Sequence, residues 1–247
     1  MQSSIAQRLI ELNRQFYTDL GEPFSATRGR VQPGVRRIID SLDRNESILD
    51  LGCGNGELAR TLARGGHCGT YLGLDFSLPL LADAESLPGG FSAEFREIDL
   101  TQLSVSSVQL SATDNLHAGT DWSLITAFAV LHHIPGQNLR LNILKSVHGL
   151  LAEGGRFIHS NWQFLNSPRL RHRVREWSEV GLVESDVDEN DYLLDWRSGG
   201  TGLRYVHHFS EDELIKLAET SGFRVVETFY SDGKEGNLAI YQVWKKL

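Results

Sequence analysis

Asp50-Leu51-Gly52-Cys53-Gly54-Asn55-Gly56 is the stretch of this chain whose residue types and spacing are best suited to holding a ligand. Glycines at alternate positions let the backbone turn tightly and come close to a bound molecule. A helix is expected from Glu57, and its first turn offers unpaired N–H groups. Asp75 follows 25 residues after Asp50, at the end of the next expected strand. A carboxylate there can accept hydrogen bonds from both hydroxyls of a ribose. A dinucleotide fingerprint, G-x-G-x-x-G begun at Gly52, would place its third glycine at Glu57. A pyrophosphate against Glu57 would be repelled. The D-x-G-x-G-x-G spacing instead suits a ligand without phosphate that carries an ammonium group, with Asp50 near it.

Strands alternate with helices around this loop. Ser47 to Leu51 is expected as the first strand and Glu57 to about Arg64 as the first helix after it. Tyr71 to Asp75, Ala93 to Ile98, Trp122 to Ala127 and Arg156 to Ser160 read as further strands. Helices are expected from Ser77 and over Asn138 to Leu151. This rhythm predicts an α/β fold with a doubly wound, Rossmann-like sheet of seven strands. Ser210-Glu211-Asp212-Glu213 is a capping box opening a helix over Glu211 to Ser221. Phe223 to Tyr230 and Leu238 to Trp244 are two strands joined by a short, Gly-rich segment. A join that short makes a hairpin, so the mostly parallel sheet should finish with one antiparallel strand.

No boundary between separate domains is visible; the chain reads as a single domain in four stretches. Residues 1–45 read as helix, irregular segment, helix, with Ile5, Leu9, Leu12 and Phe16 at helical spacing. Pro23, Gly29, Pro33 and Gly34 are expected to break the middle, and a second helix to cover Val35 to Leu42. Residues 46–161 form the core, 162–209 an insert on the substrate side, and 210–247 the closing helix and hairpin. An excursion as long as the insert is usually functional or a subdomain. It holds Arg169, Arg171, Arg173 and Arg175, which read as a solvated face or as contacts to nucleic-acid phosphates. Glu184 to Asp191 reads as a solvated loop. Trp162, Trp177 and Trp196 suit core packing more than stacking on bases.

The chain has 247 residues, a net charge of −8 and two cysteines. That acidity argues against nonspecific coating of nucleic acid, which depends on charge neutralisation. Two cysteines exclude a disulfide scaffold and a four-cysteine zinc site within the chain. The histidines show no H-x-x-x-H spacing and no Cys/His cluster, so no metal site is expected. Cys53 suits packing better than nucleophilic attack. No apolar run is long enough to span a membrane. The N-terminus has no secretory signal pattern, and a cytoplasmic location is expected.

S-adenosylmethionine is a phosphate-free ligand with an ammonium group. The glycine loop, the acidic strand end and the antiparallel finish together resemble the class I S-adenosylmethionine-dependent methyltransferases. The resemblance implies that Asp50, Gly52 and Gly54 line the methionine part, and that Asn55 and Gly56 of the same loop also bind the cofactor. It implies that Asp75 takes the ribose, that Phe76 packs near the adenine, and that Asp99 and Leu100 sit at the adenine edge. Ala127 would lie beside the cofactor. Leu151-Ala-Glu-Gly-Gly155 is similar to the L-x-P-G-G before the fifth strand, with Glu153 where proline is common.

Four further segments resemble the tRNA wobble-uridine carboxymethyl methyltransferases. Phe16 to Arg28 is similar to Y-x-x-I-A-x-x-F-S-x-T-R, although Gln32-Pro33-Gly34 replaces the P-W-P that follows. Ala129-Val-Leu-His132-His133-Ile is similar to V-x-H-H-F. Tyr192 to Arg197 is similar to a V-P-W-K segment. Arg204-Tyr205-Val-His207-His208-Phe209, continuing to Glu213-Leu214, is similar to R-Y-Y-H-x-F-x-x-x-E-L.

The resemblance implies a tRNA anticodon loop as partner and a carboxymethyl group on uridine as acceptor. A carboxylate is already ionised at neutral pH, so the chemistry needs a positioned oxygen rather than a base. Arginine can clamp a carboxylate bidentately. Arg28 and Arg204 are the expected clamps, with Tyr205 and His207 holding the base or its carboxylate. His133 is expected where the acceptor approaches, with one of His132 and His133 being structural. Eukaryotic members of this family act with a small zinc-binding activator protein, which makes such a partner an option here. A small-molecule acceptor on the same fold, or cofactor binding without catalysis, are the alternatives.

Overall fold

The computed structural model describes residues 1–26, 29–84, 87, 91–104, 108 and 121–247, with Phe24 described by its backbone alone. The central sheet grows outward from β1 (Ile48–Leu51), whose four residues are all buried. Such a strand has no solvent face, so its neighbours must pair on both edges and helices must cover both sides. β2 (Tyr71–Asp75) and β4 (Trp122–Phe128) pair with it in parallel. β3 (Ala93–Glu97) lies outside β2, and β5 (Leu151–Trp162) lies beside β4. β9 (Phe223–Ser231) and β10 (Ala239–Lys246) complete the order β3-β2-β1-β4-β5-β10-β9. β10 is antiparallel to both its neighbours, which is the expected finish.

Strand alternation sends neighbouring residues to opposite cores. Leu49, Leu74, Ile125 and Phe157 join one cluster, with Leu144 and Val147 of α5 (Gln137–Leu150). Ile48, Leu124 and Ile158 join the other, with Leu58 and Leu62 of α3 (Glu57–Arg64). α4 (Leu78–Ala84) follows β2. α7 (Glu211–Thr220) begins at Ser210, whose side chain accepts from the Glu213 N–H as its capping box requires. None of the described helices is long and apolar enough to cross a membrane.

Three local expectations are corrected. α1 (Ser3–Ala26) runs straight through Pro23, where a break was expected. Proline in a helix interior costs about 3 kcal/mol. Here the last turns carry Phe16, Tyr17 and Leu20 into a buried cluster with Leu80, Phe76 and Trp196, and that burial holds the helix together. α2 spans Pro33–Asp40, earlier than expected, with proline in its first turn where the missing N–H is harmless. β5 begins at Leu151 rather than Arg156, with a register irregularity against β4 between Trp122 and Leu124.

The insert folds as a second sheet of β6 (Val174–Arg175), β7 (Asp191–Trp196) and β8 (Gly202–His207), all antiparallel. α6 (Pro168–Arg171) precedes it. α1 lies along this sheet. Asn13 accepts from the Tyr205 N–H at 2.8 Å and donates to the Tyr205 carbonyl at 3.1 Å, as a fourth strand beside β8 would. Asp191, expected in a solvated run, is instead buried at the start of β7.

His159 sits at the centre of the sheet, fully buried, stacked on Phe157 and edge-on to Trp244. Burial pushes its pKa down from 6.5 to about 3. The folded state therefore resists a proton that the unfolded chain accepts. The stability this neutral imidazole confers is complete above about pH 6.5 and is lost as pH falls toward 3, by at most about 1.4 kcal/mol per pH unit. His159→Gln is expected to flatten the fall in stability between about pH 6 and 4 relative to wild type. Denaturant melts across that range check it; parallel curves would overturn the assignment.

Candidate active site

A cavity of about 620 Å³ opens at the C-terminal ends of β1 to β4, where ligands of open α/β sheets bind. Its two sides carry opposite charge. The sheet side presents Asp50, Asp75 and Asp99 from the ends of three successive strands. The insert side presents Arg169, Arg173 and Arg204, with Trp162 and Trp196.

On the sheet side, Asp50 is 3% exposed and accepts from the Tyr71 hydroxyl at 2.5 Å and the Thr126 hydroxyl at 2.6 Å. Burial raises its pKa from 3.8 to about 6 against those hydrogen bonds. Asp75 accepts from the Gly54 N–H and the Ser77 N–H, each at 2.9 Å, one on each oxygen. Burial raises its pKa too. Asp99 accepts from Thr101 and pairs with Arg14 of α1 at 2.7 Å. Phe76 and Leu100 supply apolar lining, and Tyr17 meets Phe76 edge-on at 5.8 Å.

Gly52 has φ +68, and a Cβ there would lie 2.5 Å from the Val130 side chain. A side chain at 52 would thus collide with the segment after β4. Over Gly54 the position of a Cβ is open space. Asn55 lines the cavity and donates to Ser25 of α1 at 3.0 Å, tying the helix to the loop.

On the insert side, Arg204 is 4% exposed. Its guanidinium lies 5.0 Å from the Trp162 ring, 5.3 Å from Phe16 and 5.5 Å from Trp196. His132 and His133 both line the cavity between the two sides. His133 Nε2 meets the Tyr17 hydroxyl at 3.0 Å, and Nδ1 meets the Tyr205 carbonyl at 3.2 Å. A carbonyl only accepts, so Nδ1 carries the proton and Nε2 accepts from the tyrosine. His132 Nδ1 accepts from the Trp162 N–H at 3.3 Å.

The structure thus gathers Asp50, Gly52, Gly54, Asn55, Asp75, Phe76, Asp99, Leu100, His133 and Arg204 around one cavity. Four expected residues stand elsewhere. Gly56 caps α3 and packs on Ala84. Ala127 is fully buried in the core, because alternation along β4 turns it away; Phe128 and Ala129 line the cavity instead. Tyr205 and His207 are not substrate-facing. They alternate with Arg204 along β8 and so point to the far face of the small sheet. There the Tyr205 hydroxyl donates to Asp191 at 2.6 Å and accepts from Arg140 at 3.0 Å. His207 bridges Asp191 at 2.7 Å and Glu213 at 2.9 Å. This buried network ties the insert to α5 and α7. Arg28 lies outside the described residues.

Asn13, Arg14 and Tyr17 escaped the sequence reading, although their i, i+1, i+4 spacing puts 13 and 17 on one helix face. Arg140, 2% exposed, carried no signal either. Trp162 and Trp196, read as core residues, line the cavity half-buried, whereas Trp177 is in the core.

Residues 25–228 match the family model described as "Methyltransferase domain". The chain belongs to that family. As a member it is an S-adenosylmethionine-dependent methyltransferase. It is 28% identical to an Encephalitozoon cuniculi protein that bears a provisional methyltransferase name, over 86% of this chain and 87% of that one. It is 23% identical to the tRNA (carboxymethyluridine(34)-5-O)-methyltransferase of Schizosaccharomyces pombe, over 89% of this chain and 92% of that one. The magnesium protoporphyrin IX methyltransferase of Synechocystis, crystallised with S-adenosylhomocysteine, superposes with a TM-score of 0.66 at 18% identity. The overlap covers 96% of this methyltransferase and 99% of that chain, and it shows the shared fold.

The residues of the methyltransferase fit the cofactor. Each Asp75 oxygen has accepted one backbone N–H and retains a second lone pair, which suits two adjacent ribose hydroxyls. Three carboxylates suit a cationic ligand, and the open space over Gly54 admits it close to the backbone. An ammonium beside Asp50 favours its ionised form. Cofactor affinity is therefore expected to fall as pH drops through about 6, by up to tenfold per unit, with proton release on binding. Calorimetry in buffers of different ionisation heat checks this, and Asp50→Asn should remove the dependence.

Proposed function

We propose that this methyltransferase esterifies the carboxylate of a carboxymethyl group on a wobble uridine of tRNA. The observation that carries this reading is Arg204, a buried cation walled by three aromatic rings on the cavity side opposite the carboxylates. A guanidinium that lines the cavity and is set between flat aromatic walls suits a carboxylate, which it can bind through two parallel N–H bonds. The partial identity with the fission-yeast tRNA enzyme along almost the whole chain supports the nature of that acceptor.

Bound S-adenosylmethionine supplies an electrophilic methyl group on a sulfonium sulfur. The chain's own task is to orient the acceptor. Arg204 holds the carboxylate oxygen that does not react, leaving the other oxygen nucleophilic. The flat rings around it keep the guanidinium in one plane and exclude water, which strengthens the ion pair. Both ring nitrogens of His133 are engaged, with Tyr17 and with the Tyr205 carbonyl. His133 thus orders the acceptor side without acting as a base, which an ionised carboxylate does not need.

Labelled S-adenosylmethionine and bulk tRNA bearing carboxymethyluridine test this, followed by nucleoside analysis. The expected product is the labelled methyl ester of that nucleoside. Label found only in small-molecule acids would overturn the tRNA reading.

A further inference from the structure

The sharing of charge in the cavity extends to its mouth. Several arginines among the described residues are in ion pairs, including Arg14, Arg37, Arg60, Arg140, Arg156 and Arg197. Arg169 and Arg173 also line the cavity, yet among the described residues neither forms one. Arg169 is exposed and Arg173 half-buried, while Arg204 lies deep on the same wall. Asp195 stands beside them, but its carboxylate pairs with Arg197 at 2.5 Å. The Asp195 N–H bonds to the Arg173 carbonyl at 3.0 Å, so the arginine's backbone is held in place by β7. Leu170, between the two arginines, is buried in the small core of the insert with Phe164, Leu194 and Val206. The two cations are therefore mounted on ordered backbone rather than on a loose loop.

Two unneutralised guanidiniums at a cavity mouth attract anions. S-adenosylmethionine carries no phosphate and the sheet side of the cavity already suits it. The second anion must belong to the acceptor. We propose that Arg169 and Arg173 form a phosphate-binding rim that grips the backbone of a single-stranded RNA next to the nucleotide whose carboxylate reaches Arg204. This rests on the RNA reading of the acceptor given above and deepens it. The rim locates the strand, and Arg204 selects the modified base. It also reconciles an RNA partner with a chain of net charge −8, since Arg169, Arg173 and Arg204 set a local group of positive charges on the wall that meets the strand.

The test is the salt dependence of binding of an anticodon stem–loop RNA, read by fluorescence anisotropy. Each single-strand phosphate contact contributes about 0.7 to the slope of log K against log salt. The double variant Arg169→Gln with Arg173→Gln should bind with a slope shallower by about 1.4. The double variant with lysine at both positions should keep the wild-type slope. S-adenosylmethionine affinity, measured by calorimetry, shows that each variant still folds its cavity. An unchanged slope in the glutamine variant would overturn the rim. Binding of uridine monophosphate with the same dependence on the two arginines, and none of the stem–loop, would move the phosphate to a small metabolite and overturn the RNA strand. A wild type that binds the stem–loop with the full slope but methylates no carboxymethyluridine would support the rim while refuting the acceptor.

Discussion

Asp75→Ala is expected to weaken S-adenosylmethionine binding by on the order of a hundredfold to ten-thousandfold. Two hydroxyl hydrogen bonds to a charged acceptor contribute about 1.5–3 kcal/mol each. The substitution also strips the partners from the Gly54 and Ser77 N–H groups, so the loop loses its anchor to β2. Asp75→Asn keeps one acceptor oxygen and the fold of the loop, and should lose less. Calorimetric titration checks both variants. Unchanged affinity in Asp75→Ala would remove this carboxylate from the cofactor site. The size of the effect follows from burial: at 7% exposure the carboxylate's hydrogen bonds are made largely out of bulk water, where they are stronger.

Arg204→Ala is expected to lower kcat/KM for the carboxymethylated acceptor by roughly thirtyfold to several-thousandfold, since removing one member of a buried charge pair costs about 2–5 kcal/mol. S-adenosylmethionine affinity should stay close to wild type, because Arg204 stands on the opposite side of the cavity from the three carboxylates. Arg204→Lys should recover little. The aromatic walls at 5.0–5.5 Å fit a flat guanidinium, and a lysine ammonium is compact, more strongly hydrated and unable to bind a carboxylate through two parallel N–H bonds. Initial rates at saturating cofactor, with calorimetry beside them, separate the two effects. A lysine variant with wild-type rates would show that charge alone is needed there.

The cofactor half of the site was legible from the chain because it is local. Asp50, Gly52 and Gly54 are contiguous with the turn they shape, and Asp75 and Asp99 mark strand ends that hydrophobic patterning locates. The acceptor half was only partly legible. The segment Arg204-Tyr205-Val-His207 was read as a set of neighbours, whereas a strand sends alternate residues to opposite faces. Arg204 reached the cavity, and Tyr205 and His207 went to the buried network with Asp191, Arg140 and Glu213. The period of two could have separated them had β8 been recognised as a strand. Asn13 and Tyr17 gave no such opening, because their roles come from contacts across 192 and 116 residues of sequence.

What the amino-acid sequence determined by itself was therefore the parallel α/β core, its antiparallel finish and the cofactor loop. Each of these is written in short-range periodicity, in glycines where the backbone turns, and in acidic residues one strand apart. Only the tertiary structure decided which face of the insert meets the ligand. That choice depends on α1 running unbroken through Pro23 to pack on the small sheet. It also depends on the buried pairing of Asp191 with His207 and Tyr205, which fixes β8 with Arg204 turned inward. Long-range packing free energy outweighs local propensity at those points, and no window of neighbouring residues contains it.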